Sequence, residues 1–159
     1  MAGALATAAM DLLLFQRYRS EGGDDDFRAW ELSGSVDGFG SDAPAPAQVG
    51  KRVADAVGID LPDSAAANTN NVVHWLTGIG WGKVAGLAAG ALPVPALGVG
   101  VATGVTAWGT SYALLGAAGI YKPIAEYDKA TLWKDLSAHL VFGTVLGAVL
   151  TISRVRPRR

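Results

Sequence analysis

The sequence predicts an all-α fold: an integral membrane four-helix bundle made of two helical hairpins, with one long polar loop and a short amphipathic surface helix. Three observations predict it. Half of the 159 residues are apolar and 17% are charged, below the ~25% charge of soluble domains. Glycine is abundant, at 21 residues, where a chain of ordinary composition carries ~7%. Charge is also segregated, because residues 84 to 121 hold none whereas residues 16 to 63 hold ten acids and five bases. The length suits a single domain, a membrane domain over 1–159. The net charge of −1 shows no basic footprint for nucleic acid. With no cysteine, disulfide and thiol chemistry are excluded.

The first span covers about 1–18. MAGALATAAMDLLLF lacks the basic leader and small-residue cleavage pattern of a signal peptide, so it reads as a retained helix. Fifteen residues rise only ~22 Å against a hydrocarbon core of ~30 Å. The helix therefore tilts little and borrows Gln16 to Tyr18, or the natural start lies upstream. Arg17, Tyr18 and Arg19 suit the headgroup boundary.

A polar loop of about 19–70 follows, punctuated by GG, GSVDGFG and APAP. Within it QVGKRVADAVG places Val49, Val53 and Val57 at four-residue spacing. That is a short amphipathic helix lying on the membrane surface or packed over the bundle. The run Asp24–Asp26 suggests a divalent cation, but acidic loop runs are usually just solvated.

The second span, about 71–92, and the third, about 97–119, are separated by the proline turn LPVPA. YKPIAEYDKATLWKD connects to the fourth span, 136–153, with Tyr121, Tyr127 and Trp133 available for an aromatic belt. RVRPRR closes the chain. Eight Lys and Arg in the polar loops against four in the tail assign those loops to the cytoplasmic side of a bacterial inner membrane.

Small residues recur every fourth position. Span two carries His74, Gly78, Gly82, Gly86 and Gly90, and span four carries His139, Gly143 and Gly147. Span one has Gly3, Thr7 and Asp11, and span three has Gly100, Gly104, Trp108 and Tyr112. Lipid tails are as apolar as leucine, so spans associate by close backbone approach rather than hydrophobic burial. Antiparallel neighbours bring Asp11, His74, Tyr112 and His139 to the loop side, and the two hairpins read as a parallel pseudo-repeat.

The resulting polar cluster comprises Asp11, Asn71, His74, Lys83, Tyr112, Glu126, Asp135 and His139, approached by the second polar loop. A charge within a span faces protein or water rather than lipid. Lys83 sits deeper, and either reaches back towards Asp11 or snorkels elsewhere.

Three roles fit the cluster. In the first it fixes helix packing, and the protein is a structural or accessory subunit with Trp75, Trp81 and the surface helix turned to a partner. In the second it handles a proton, ion or small solute, with the histidines titrating near neutral pH. Four short spans then imply a homo-oligomer. In the third it is a membrane-embedded enzyme acting on a lipid-like substrate, with His74 or His139 as base and Asp11 orienting it, or a metal site on those three side chains. No H-E-x-x-H, GxSxG or phosphate-binding loop is present, and the residues name no cofactor.

GALATAAMDLLLFQRYR, NNVVHW with its following glycine stripe, and YKPIAEYDKATLWKDLSAHLVFG together resemble the YagU-like small inner-membrane proteins of bacteria and their actinobacterial relatives. The resemblance implies a bacterial inner-membrane location and topology, and no mechanism. The long acidic first loop departs from that pattern.

Overall fold

The computed structural model describes residues 1–33 and 35–155, with side chains as far as 153. Among the described residues the chain is all-helical and has no strand. Six α-helices follow in order: α1 (Ala2–Ser20), α2 (Phe27–Glu31), α3 (Ala45–Ala56), α4 (Ala66–Ala91), α5 (Ala96–Ala117) and α6 (Lys129–Val155). Single 3-10 turns precede α4, at Asp63–Ala65, and α6, at Ile124–Glu126.

Helix ends follow from local chemistry. α4 stops at Ala91 because Pro93 forces the chain out of helical geometry, and α5 restarts directly after Pro95. Gly119, at φ +67°, lets the Ile120 amide turn back to the Leu115 carbonyl at 2.9 Å and closes α5. Gly58, at φ +76°, does the same for α3, with Ile59 N–H bonded to Ala54 O at 2.9 Å. α6 begins on an Asp128 cap, whose carboxylate accepts from the Thr131 amide at 2.9 Å and the Thr131 hydroxyl at 2.6 Å. The expected spans match α1, α4, α5 and α6, although α4 and α6 start earlier, at Ala66 and Lys129. α2 lies inside the expected loop. Asp26, the last residue of the acidic run, accepts from the Ala29 amide at 2.8 Å and so starts that helix. The RVRPRR tail beyond 155 lies outside the described residues.

The chain forms two compact units. The first comprises Met1–Leu14 with the chain from Gly78 onward. In it the first part of α1 meets the second part of α4, and α5 meets α6. A Cβ at Gly3 would strike the backbone of Gly78, Ile79 and Gly82, and one at Gly78 would strike Thr7. A Cβ at Gly100 would strike Gly143 and Gly147, and one at Gly104 would strike His139 and Gly143. Rising numbers on one helix meet falling numbers on the other, so both pairs are antiparallel, as two hairpins require. The expected stripe in α4 is only half used: nothing lies near Gly90, and Gly86 only touches Leu150 at 4.0 Å.

The core of this unit is made of small residues. Ala6, Ala85, Ala89, Ala96 and Val99 gather around Phe142 and Leu146. Large aliphatics point the other way: Leu87 is 76% exposed and Leu114 64%, with Leu5, Leu12, Val84, Leu97, Val105 and Ile152 also exposed. Hydroxyls within the helices return to their own backbone, as Thr103 does to Val99 O at 2.8 Å and Thr151 to Gly147 O at 2.8 Å. Among the described residues one helix, α6, is long and apolar enough over Lys129–Ser153 to cross a membrane by length and composition.

The second unit, Phe15–Thr77, is held by side chains. Phe15, Tyr18, Phe27 and Trp30 pack as an aromatic group with centroids 5.2 to 6.4 Å apart. Tyr18 donates to Asp25 at 2.8 Å. α3 lies close to the start of α4, since a Cβ at Gly50 would meet Thr69 and Val73.

Candidate polar site

In the first unit the end of α5, the following connection and the first turns of α6 converge. Tyr112 on α5 is buried, and the Asp135 carboxylate on α6 lies near its hydroxyl. Asp135 Oδ1 also lies 3.3 Å from His139 Nδ1, one helical turn further on. The same Nδ1 is 3.0 Å from the Asp135 carbonyl. Both neighbours of Nδ1 are acceptors, so Nδ1 carries a proton towards them. One carboxylate thus joins a phenol and an imidazole.

Aromatic rings close over this line. Tyr112, Tyr121 and Tyr127 are mutual neighbours, with centroids 5.3, 5.3 and 6.3 Å apart, and Trp108 packs tilted against Tyr112 at 5.3 Å. Lys122 places its ammonium 4.6 Å from the centre of the Tyr127 ring. Burial, then the charge of Asp135, then Tyr127, push the Tyr121 phenol up to about 12, so it stays neutral at physiological pH.

Of the expected cluster, Tyr112, Asp135 and His139 are thus brought together in one unit. Asp11 belongs to the same unit and is 3% exposed on α1. Lys83 is exposed on α4, and among the described residues no acceptor binds it. Glu126 is exposed in the 3-10 turn before α6. Asn71 and the half-buried His74 belong to the second unit. There Asn71 Nδ2 donates to Glu31 O at 2.7 Å and Ser33 Oγ at 3.3 Å, and Asn70 Nδ2 donates to Ser33 Oγ at 2.7 Å. Trp75, expected to face a partner, instead donates to Glu31 Oε1 at 3.0 Å. Trp81 packs on the small-residue core. Among the described residues no group of three or more His, Asp or Glu is placed to hold a metal ion.

The sequence assigned Tyr121 and Tyr127 to an aromatic belt and left Ser33 and Glu31 without a role. The spacing of Tyr112, Tyr121 and Tyr127 around the α5–α6 turn was the available signal for the first pair. Comparison with known protein families, curated proteins and solved structures finds no match to this chain.

Proposed function

We propose that the chain is a small integral membrane protein of structural or accessory type, crossing the bilayer with α1, α4, α5 and α6. The observation that carries this reading is the inverted packing of the first unit. Around Phe142 and Leu146 the inside is filled mostly by alanine, glycine and threonine, while many of the leucines and valines lie outside. Water would drive those aliphatics inward at ~25 cal/mol per Å², whereas lipid exerts no such force and rewards close backbone contact. At ~1.5 Å per residue the four helices are about 28, 39, 33 and 40 Å long, near or above the ~30 Å of hydrocarbon. Asn68, Asn70, Asn71, His74 and Lys83 lower the mean hydropathy of α4, and the glycines and hydroxyl residues lower that of α5. The polar groups then fix helix packing near one membrane face, and the protein works beside a partner membrane subunit or a second copy. The YagU-like resemblance agrees with a bacterial inner-membrane location, with the polar loops cytoplasmic.

Cysteine labelling in intact cells tests the topology, because the native chain has no cysteine. With four spans, Ser41→Cys and Ala125→Cys react from one side and Val94→Cys from the other. Labelling of all three from the same side would leave α6 as the sole crossing and end the four-span proposal.

The Tyr112–Asp135–His139 line favours a second reading, an oligomer that handles a proton or small ion. A carboxylate shared by a phenol and an imidazole provides neighbouring proton donors and acceptors. A detergent-resolved mass above one chain, with His139→Ala keeping that mass and losing ion flux in vesicles, would support it. Loss of assembly in His139→Ala would return the line to a packing role.

A further inference from the structure

The second unit contains an apolar groove between α3 and α4, of about 660 Å³. That size lies within the ~300 to 1,000 Å³ range of small-molecule sites. Val49, Val53, Val57 and Ile59 form one wall, and Val72 and Leu76 the other. All but Val49 are large side chains left more than half exposed, from 55% at Ile59 to 68% at Val57. The helices approach closely where Gly50 faces Thr69 and Val73, and the aliphatic row beside that contact is left uncovered.

The charges beside the groove select its occupant. Lys51 on α3 is held between Asp55 at 2.6 Å and Asp60 at 3.1 Å. The lining itself includes no titratable side chain. A charged peptide finds no counter-charge there, whereas uncharged hydrocarbon matches it. Depth points the same way, since Val72 and Leu76 lie ~9 and ~15 Å beyond the first residue of α4. They fall in the first turns of the segment assigned to the bilayer above, at the level of the upper acyl chain.

We propose that the α3–α4 groove seats acyl chains of membrane phospholipid, so that α3 lies in the membrane surface with Val53, Val57 and Ile59 turned into hydrocarbon. This rests on the integral-membrane reading and extends it to the first polar loop, part of which is then lipid-bound rather than free in water. Because Lys51 is neutralised within the unit, the contact needs no anionic lipid.

Nitroxide labels on Val53→Cys and, as a control on α5, Val105→Cys test this in vesicles of phosphatidylcholine alone. Collision rates are measured with oxygen, which concentrates in hydrocarbon, and with a nickel chelate confined to water. Both labels should collide preferentially with oxygen, the Val53 label at the shallower depth. Adding Val57→Asp should invert that preference at residue 53 and leave residue 105 unchanged. If nickel dominates at 53 while oxygen dominates at 105, the groove faces water and the proposal falls with the membrane reading intact. If nickel dominates at both, the membrane reading itself fails. A label at 53 shielded from both reagents, with spin–spin broadening between chains, would show a second copy in the groove and overturn the lipid assignment.

Discussion

The two units hold helices together by opposite means. In the first, α5 and α6 meet where Gly100, Gly104, Gly143 and Gly147 leave no room for a side chain. In the second, α2 and the start of α4 are joined through Ser33, Glu31, Asn70, Asn71 and Trp75, and the aromatic group around Phe15 covers α2. The difference is the one the membrane proposal calls for. Backbone apposition gains from dispersion alone and needs no water to expel, whereas aromatic burial and side-chain hydrogen bonds gain most where water meets the helices, as around α2.

The sharpest break of this contrast is a side chain placed in the seam. Gly143→Leu must displace the backbone of Gly100 and Gly104. The expected cost is at or above the ~3 kcal/mol upper end of overpacking, seen as loss of the α5–α6 hairpin in denaturant titrations in detergent. Gly98→Leu and Gly109→Leu, on the partner helix α5 with nothing near the new Cβ, should stay within ~0.5 kcal/mol.

An intermediate effect is expected at Ser33, whose φ of +56° is the one left-handed value among the described non-glycine residues. Ser33→Ala leaves the Asn70 and Asn71 amides without their shared acceptor and keeps the backbone strain. Leaving a buried donor unsatisfied costs ~1 to 3 kcal/mol. Ser33→Gly loses the same acceptor but relaxes the backbone, and should be the milder of the two. Hydrogen exchange at the start of α4 reads the difference.

Tyr112→Phe should cost less, since hydrogen bonds between membrane helices average ~0.6 kcal/mol and reach ~1.7. The same titrations as for the seam would detect it, and an effect larger than the seam's would undo the ranking.

Two further effects are in pH. Folding raises the Tyr121 phenol from 10.0 to about 12, so its contribution is complete below pH 10 and is lost as pH rises through about 12. Folding lowers the Asp128 carboxyl, through its bonds to Thr131. Its contribution is present above its ordinary value of 3.8 and is lost as pH falls through the lower folded value. Melting against pH should show both limbs, the alkaline one reduced in Tyr121→Phe and the acidic one reduced in Asp128→Ala.

Much of the fold was legible because its signals are local. Proline at 93 and 95 marked the break between α4 and α5, and the four-residue glycine spacing located Gly78, Gly82, Gly100, Gly143 and Gly147 on their seams. Gly86 and Gly90 share that spacing but lack a close partner, because spacing gives a face and not what lies opposite it. α2 escaped notice because five residues carry no periodicity, and its cover comes from Phe15 and Tyr18, nine or more residues away. At the polar site, Tyr112 and His139 could be aligned by helical register. The link through Asp135 depends on the turn between α5 and α6, whose path no periodicity encodes. The bond from Trp75 to Glu31 was illegible for the same reason, since the two lie 44 residues apart.

Extraction of membranes at alkaline carbonate pH tests the central claim most directly. If the aliphatics that point outward from the first unit meet lipid, the chain stays in the membrane pellet and is released only by detergent. Recovery in the carbonate supernatant as a soluble species would contradict the account.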